Sequence, residues 1–284
     1  MKLTRLTILG CDRLADLTLT VCSRTDKGSL TLVSGPAGSG KTALLEVLIA
    51  AKESWGPSGA RLPYHPRSRD GQGAKLSAEW SIAGSTVEAE AIFDSPLGFA
   101  GATDDRLEHA VSGYSVSPAF WKLEYMHEGR AIERGAPLPA TRAAARIEID
   151  PLKYAHVEPL LVRRSEEDGP AVIERLSAVL AGFGLGIACA PRGGGVVVTT
   201  SRGQRSVSSL ARSEQQLFLL LAAPLAFGLD NGMLFIDTLE QGLPAAWVAK
   251  VAGALRQLLP DTQILATTRT PEIVGATDLH IQLR

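Results

Sequence analysis

The sequence predicts an α/β fold: a mostly parallel sheet flanked by helices, with a β-rich N-terminal lobe. Three observations carry that expectation. A glycine-rich loop, Gly35-Pro36-Ala37-Gly38-Ser39-Gly40-Lys41-Thr42, separates the apolar run Leu30-Thr31-Leu32-Val33 from a helical stretch at 43–49. Met233-Leu234-Phe235-Ile236 is apolar throughout, as a strand buried on both faces of a parallel sheet is. Residues 2–9 and 17–22 alternate in polarity, the pattern of paired strands with one face buried.

The remaining elements follow in order. Residues 30–34 form the strand that feeds the glycine-rich loop, and the helix after the loop fades near Lys52. Trp55 to Gly73 is rich in Gly, Pro, Ser and Arg without a period, so a loop is expected there. Two alternating runs, 75–82 and 86–93, flank Ala83-Gly84-Ser85 and predict a hairpin. Residues 95–140 are irregular, with a short helix expected near 104–111, and a strand is expected at 145–149. Arg163-Arg164-Ser165-Glu166-Glu167-Asp168 reads as a solvated turn before a helix over 170–182, whose apolar residues Val172, Ile173, Leu176, Val179 and Leu180 recur at helical spacing. Strands are expected at 186–189 and 195–200, and a longer helix from Ser213 to Phe227. A helix over 245–259, a buried strand over 263–268 and an edge strand over 280–283 complete the chain. No internal repeat and no heptad run is present.

Composition narrows the class. The 284 residues carry 29 basic and 30 acidic side chains, a formal net charge of −1, so no global positive field points to nucleic acid. Arg61, Arg67 and Arg69, interleaved with Tyr64 and His65, read as a solvated loop on the same ground. The three cysteines, Cys11, Cys22 and Cys189, have no metal-ligand spacing and read as buried thiols. The five histidines form no metal-like pair. No run reaches the ~20 apolar residues of a membrane span, and no leader pattern opens the chain, so a cytoplasmic protein is expected.

The loop at 35–42 has a physical reason at each position. Glycines let successive backbone N–H groups turn inward toward a polyphosphate. Lys41 would place its ammonium at the β- and γ-phosphates, and the Thr42 hydroxyl would ligate Mg²⁺. The helix that follows aims its positive end at the same place. A nucleoside triphosphate and Mg²⁺ are therefore the expected ligands, with Gly35 to Thr42 as the cradle; ATP in particular is what the family resemblance below implies. Asp237 closes the apolar strand 233–236, where ligands dock in open α/β sheets. A carboxylate there could hold Mg²⁺ opposite Thr42, or simply cap the strand.

Taken with their order and spacing, these segments resemble the ATP-binding-cassette-type heads of the SMC/RecF group, including small bacterial ATPases without a coiled coil. Leu210-Ala211-Arg212-Ser213-Glu214-Gln215-Gln216 is similar to the family signature L-S-S-G-E-Q-Q. Leu234 to Leu243 is similar to I-D-E-x-E-N-G-L, and Ala266-Thr267-Thr268-Arg269-Thr270-Pro271-Glu272 to T-T-H-S-P-E. The resemblance implies one head over 1–284: a β-rich lobe with loop and hairpin at 1–94, an unassigned insertion at 95–165, and a signature, Asp237 and switch lobe at 166–284. It also places Gln72 near a metal-contacting glutamine.

The departures fall on reacting positions. Ala211 stands for the signature serine and Ser213 for the signature glycine; Thr238 stands for the glutamate that polarises the attacking water, and Arg269 for the switch histidine. Losing a water-orienting carboxylate removes help worth ~10²–10⁴-fold. Glu240 and Arg269 are candidates to compensate, against the alternatives of a surface salt bridge and a solvated loop arginine. Arg212 is a third candidate, for contact with a partner's nucleotide. The resemblance implies an ATP-gated dimerisation switch, homodimeric or heterodimeric through the nucleotide face, with slow or partner-dependent hydrolysis and an effector protein or DNA as partner. A transporter's nucleotide-binding subunit and a non-hydrolysing scaffold are the alternatives.

Overall fold

The computed structural model describes residues 2–22, 28–55, 65–82, 84–94, 100–102, 104, 105, 107, 122–126, 130, 151–189, 195–229, 232–270 and 277–284. Three sheets organise them. The first is antiparallel, in the order β2 (Leu17–Thr20), β1 (Lys2–Leu9), β4 (Ala74–Ile82), β5 (Ser85–Phe93) and β6 (Ala100–Ala102). The second is parallel throughout, in the order β13 (Leu279–Gln282), β3 (Ser29–Ser34), β12 (Gln263–Thr267), β11 (Gly232–Ile236) and β7 (Lys122–Met126). A small antiparallel sheet joins β10 (Gly203–Ser206), β9 (Val196–Thr200) and β8 (Gly186–Cys189). The helices are α1 (Lys41–Trp55), α2 (Val157–Glu167), α3 (Ala171–Ala181), α4 (Arg212–Ala226) and α5 (Ala245–Leu258).

The apolar runs of the parallel strands have a direct cause. Successive side chains point to opposite faces, and both faces are covered. Leu30, Leu32, Leu234, Ile236, Ile264 and Ala266 join the core formed with α2 to α5. Val33, Met233, Phe235 and Leu265 turn the other way, into the core shared with α1 and the first sheet. Trp55 at the end of α1 meets Trp80 of β4 edge to face, with centroids 5.8 Å apart, and pins the β-rich lobe to the helix. Such a pair adds about 0.5–1.5 kcal/mol beyond the area it buries. The Phe183–Trp247 pair, at 5.9 Å, does the same between the end of α3 and α5.

Most sequence expectations fall on real elements: strands 2–9 and 186–189 match, and the others shift by one or two residues at an end. Four readings change. Residues 163–167 are not a turn but the end of α2, where Arg163 Nε reaches Glu167 Oε1 at 2.7 Å across one helical turn. The mixed charge that suggested a loop is the solvated face of a helix. Arg69 is not loosely solvated: its guanidinium donates to the carbonyls of Cys11 and Leu14 at 3.1 and 2.6 Å, whereas Arg67 is exposed, its backbone carbonyl accepting the Asp12 N–H at 3.0 Å. Cys189, expected buried, is exposed, whereas Cys11 and Cys22 are buried. Strands β6, β7 and β10 are additional, and β7 adds a parallel strand beside β11. Arg61, Tyr64, the hairpin residue Ala83, the strand expected at 145–149, His109, His127, Pro271 and Glu272 lie outside the described residues, as does most of the helix expected near 104–111. Among the described residues no helix is long and apolar enough to cross a membrane.

Candidate nucleotide site

The loop at 35–42 turns between the end of β3 and the start of α1. Its glycines hold backbone conformations that side chains rarely adopt: φ is +81° at Gly38 and +87° at Gly40. A Cβ on Gly38 would meet open space, which leaves that rim of the loop clear for a ligand. At Gly40 a Cβ would fall 2.4 Å from Leu14 Cδ2 and 2.9 Å from the Arg13 carbonyl oxygen. The connection between β1 and β2 therefore packs directly on the loop. Arg13 Nη1 also reaches Glu46 Oε2 at 2.9 Å, tying that connection to α1. Burial pushes the Glu46 carboxyl above its usual range, with Arg13 pulling the other way.

Beside the loop lies a cleft of about 740 Å³. Its cationic lining is Lys41, Arg13, Arg69, Arg269 and Arg284, against the carboxylates Asp12 and Asp237. A cleft so lined suits a polyanion that carries a cation near its acidic corner. Lys41 Nζ donates to the carbonyls of Gly35 and Pro36 at 2.7 and 2.8 Å. Its pKa is lowered, first by burial and then by the nearby Arg269 charge, while Asp237 and Glu240 oppose the shift.

Strand order builds the acidic corner. β12 lies between β3 and β11, so the loop's strand and the Asp237 strand stand two spacings apart, about 9.6 Å at ~4.8 Å each. Thr42, at the start of α1, bridges that gap: its Oγ1 lies 3.1 and 3.0 Å from the two Asp237 carboxylate oxygens. The last residue of the intervening strand, Thr267, donates its hydroxyl to Asp237 Oδ1 at 2.7 Å and accepts the Thr238 N–H at 2.8 Å. Thr238 then adopts φ +52°, a left-handed conformation that costs a β-branched residue about 1–2 kcal/mol. Asp237 is 1% exposed, so its carboxylate depends on these hydroxyls.

The hydroxyl of Thr42 and the carboxylate of Asp237 form a hard-oxygen pair that could hold Mg²⁺. Among the described residues no cluster of three or more His, Cys, Asp or Glu side chains gathers as a metal site. One carboxylate and one hydroxyl are what a cation shared with substrate phosphates needs from the protein.

The site brings Gly38 to Thr42, Asp237, Thr238 and Arg269 together around one cleft. Glu240 stands beside it, its Oε1 accepting the Arg269 N–H at 2.6 Å, so it holds the backbone of the 268–270 loop. Leu210 to Glu214 do not line the cleft. They form the N-terminal end of α4, where the Glu214 carboxylate accepts the Ala211 N–H at 2.8 Å, while Arg212 projects into solvent. Gln72 is exposed, and its N–H donates to Asp70 at 2.9 Å. Arg13, Arg69 and Thr267 acquire places at the site that no local pattern shows. So does Arg130, whose buried guanidinium donates to the carbonyls of Asp237 and Thr238, each at 3.2 Å.

A parallel sheet with a phosphate-type loop on its second strand, an aspartate two strands away and an antiparallel lobe packed on α1 defines a phosphate-loop ATPase-head fold. Solved SMC head domains share that architecture. No protein-family model matches the chain, and no curated protein sequence matches it. Solved structures do. An SMC head domain from Thermotoga maritima aligns with TM-score 0.59 and 15% identity, covering 99% of this chain and 94% of that one. An SMC head bound to the C-terminal winged-helix domain of ScpA aligns with TM-score 0.65 and 13% identity, over the same shares of the two chains. An SMC head with an extended coiled coil, bound to the C-terminal domain of ScpA derived from Pyrococcus furiosus, aligns with TM-score 0.57 and 12% identity, again over 99% and 94%. At these identities the likeness is one of fold.

Proposed function

We propose that this chain is a Mg-ATP-binding head that works as an ATP-gated dimerisation switch, with hydrolysis that is slow or supplied by a partner. The observation that carries the reading is the approach of Thr42 to both Asp237 oxygens inside a cleft of cationic lining. The backbone of residues 35–42 and the Lys41 ammonium hold the phosphates, and Mg²⁺, when bound at Thr42 and Asp237, would neutralise charge on the transferring phosphoryl group.

What the chain's own residues withhold is a base. Thr238 occupies the position where a carboxylate would orient water, and its hydroxyl is too weakly basic to replace one. Glu240 and Arg269 are proposed as the compensating pair: Glu240 fixes the backbone at 269, and Arg269 offers a fixed positive charge at the cleft. The segment Leu210 to Glu214 does not line its own cleft, and its exposed residues Ala211 and Arg212 suit contact with the nucleotide of a second head. The unit is proposed to be one head across 1–284, with 95–165 as the insertion. Two of the similar heads are bound to a domain of ScpA, and a partner protein for this head is proposed by analogy with them.

Size-exclusion chromatography with and without Mg-ATP, paired with single-turnover and steady-state ATPase assays, tests this reading. Nucleotide-dependent dimers with slow turnover are expected, and Lys41→Ala should abolish both. Brisk turnover by the isolated chain would refute the slow switch. A second reading, a scaffold that binds ATP structurally, draws on the same Thr238. It predicts that ATP raises the melting temperature without changing oligomeric state.

A further inference from the structure

Arg130 is 1% exposed and donates to three consecutive backbone carbonyls: Nη1 to Asp237 at 3.2 Å, and Nη2 to Thr238 and Leu239 at 3.2 and 3.4 Å. Those carbonyls belong to the turn just past the end of β11, where the strand ladder stops; the Thr238 carbonyl also accepts the Gln241 N–H at 3.0 Å, so the guanidinium adds to the turn's own closure. A planar guanidinium can span them, whereas a lysine ammonium offers one point of charge. Arg130 also faces the other way. Its own carbonyl accepts Gln216 Nε2 at 2.6 Å, and Gln216 is a buried residue in the first turns of α4. Gly242, further along the same turn, lies so close to Gln216 that an added Cβ would sit 2.9 Å from Gln216 Cγ. The helix that opens with the Leu210–Glu214 segment is thus joined through Gln216 and Arg130 to the turn carrying Asp237.

We propose that Arg130 is a positioning residue: it fixes the path of the chain at 237–239 and so aims the Asp237 carboxylate at the cation, with Gln216 linking that aim to α4. The role rests on the reading of Asp237 as a metal ligand. Neighbours that orient a metal ligand are typically worth about 10–100-fold in metal affinity.

The test uses the full chain and a fluorescent ATP analogue, titrated with Mg²⁺ and again with EDTA. The ratio of the two affinities is the magnesium increment, which a merely structural role would not move selectively. Arg130→Lys should lower the increment about tenfold, near the bottom of that range, and change the EDTA affinity less than about twofold. Gln216→Leu should lower it about threefold, since the clamp remains while its anchor is lost. Asp237→Asn should abolish it. Loss in Asp237→Asn with a wild-type increment in Arg130→Lys overturns the positioning role alone. Retention in Asp237→Asn overturns the metal assignment and the positioning role with it. If circular dichroism shows that Arg130→Lys does not fold, Gln216→Leu decides, and an unchanged increment there overturns the proposal.

Discussion

Replacing Thr267 with valine changes one buried atom group and tests the architecture of the acidic corner. Thr267 is 1% exposed, and its hydroxyl both donates to Asp237 Oδ1 at 2.7 Å and accepts Thr238 N–H at 2.8 Å. Valine keeps the shape and removes both bonds. A hydrogen bond to a charged group contributes ~1.5–3 kcal/mol, and a stranded buried N–H costs ~1–3 kcal/mol. Thr42 still serves the carboxylate, so the lower ends apply, and about 2.5 kcal/mol of destabilisation is expected. For a chain of this size that lowers the melting temperature by about 4–5 °C. Urea unfolding of the wild type, Thr267→Val and Thr267→Ser gives the comparison, with serine expected to recover most of the loss because it keeps the hydroxyl. A Thr267→Val change below about 0.5 kcal/mol, within the range of an ordinary surface substitution, would show that the hydroxyl does not hold Asp237 and Thr238 together.

Three further outcomes are expected. Gly40→Ala places a methyl against Leu14 and the Arg13 carbonyl at a φ of +87°, and should cost about 2–4 kcal/mol and most nucleotide affinity, read by thermal melts and nucleotide titration. On the proposed function, Thr238→Glu supplies a water-orienting carboxylate and should raise single-turnover ATP hydrolysis at least about tenfold; an unchanged rate would refute the proposed role of this position. Burial raises the Glu158 carboxyl pKa, so the folded state binds a proton more readily than the unfolded chain. Its contribution is fully present below the unfolded value near 4.5 and is lost as pH rises through the raised folded value. Glu158→Gln should therefore gain melting temperature relative to wild type from pH 4 to pH 7, and parallel curves would contradict the shift.

The places where sequence and structure part follow from chain separation. The glycine-rich loop, Asp237 and the strand runs are local: their chemistry is set by residues within a turn or a strand, and a period of two or 3.6 displays it. Arg69 looked like a loop charge because its acceptors, the carbonyls of Cys11 and Leu14, lie far upstream. Residues 163–167 looked like a turn because only two residues of α2, Val157 and Leu161, are fully buried, and mixed charge dominates the rest. Nothing around Arg130 marks it, since its partners are backbone carbonyls of 237–239 and backbone acceptors have no sequence signature.

The sequence by itself determined a phosphate-type cradle and a carboxylate at a strand end, and residues 211, 213, 238 and 269 depart from the motif pattern it resembles. Tertiary structure decided what surrounds them. By inserting β12 between β3 and β11, the sheet order puts Thr267 beside Asp237 and within reach of Thr238, and Thr42 spans the remaining gap. It also packs the β1–β2 connection onto Gly40 and drives Arg130 under the turn at 237–239. The physical reason is that register and order of strands fix distances between residues such as Thr42 and Asp237, 195 positions apart, and no local pattern encodes them.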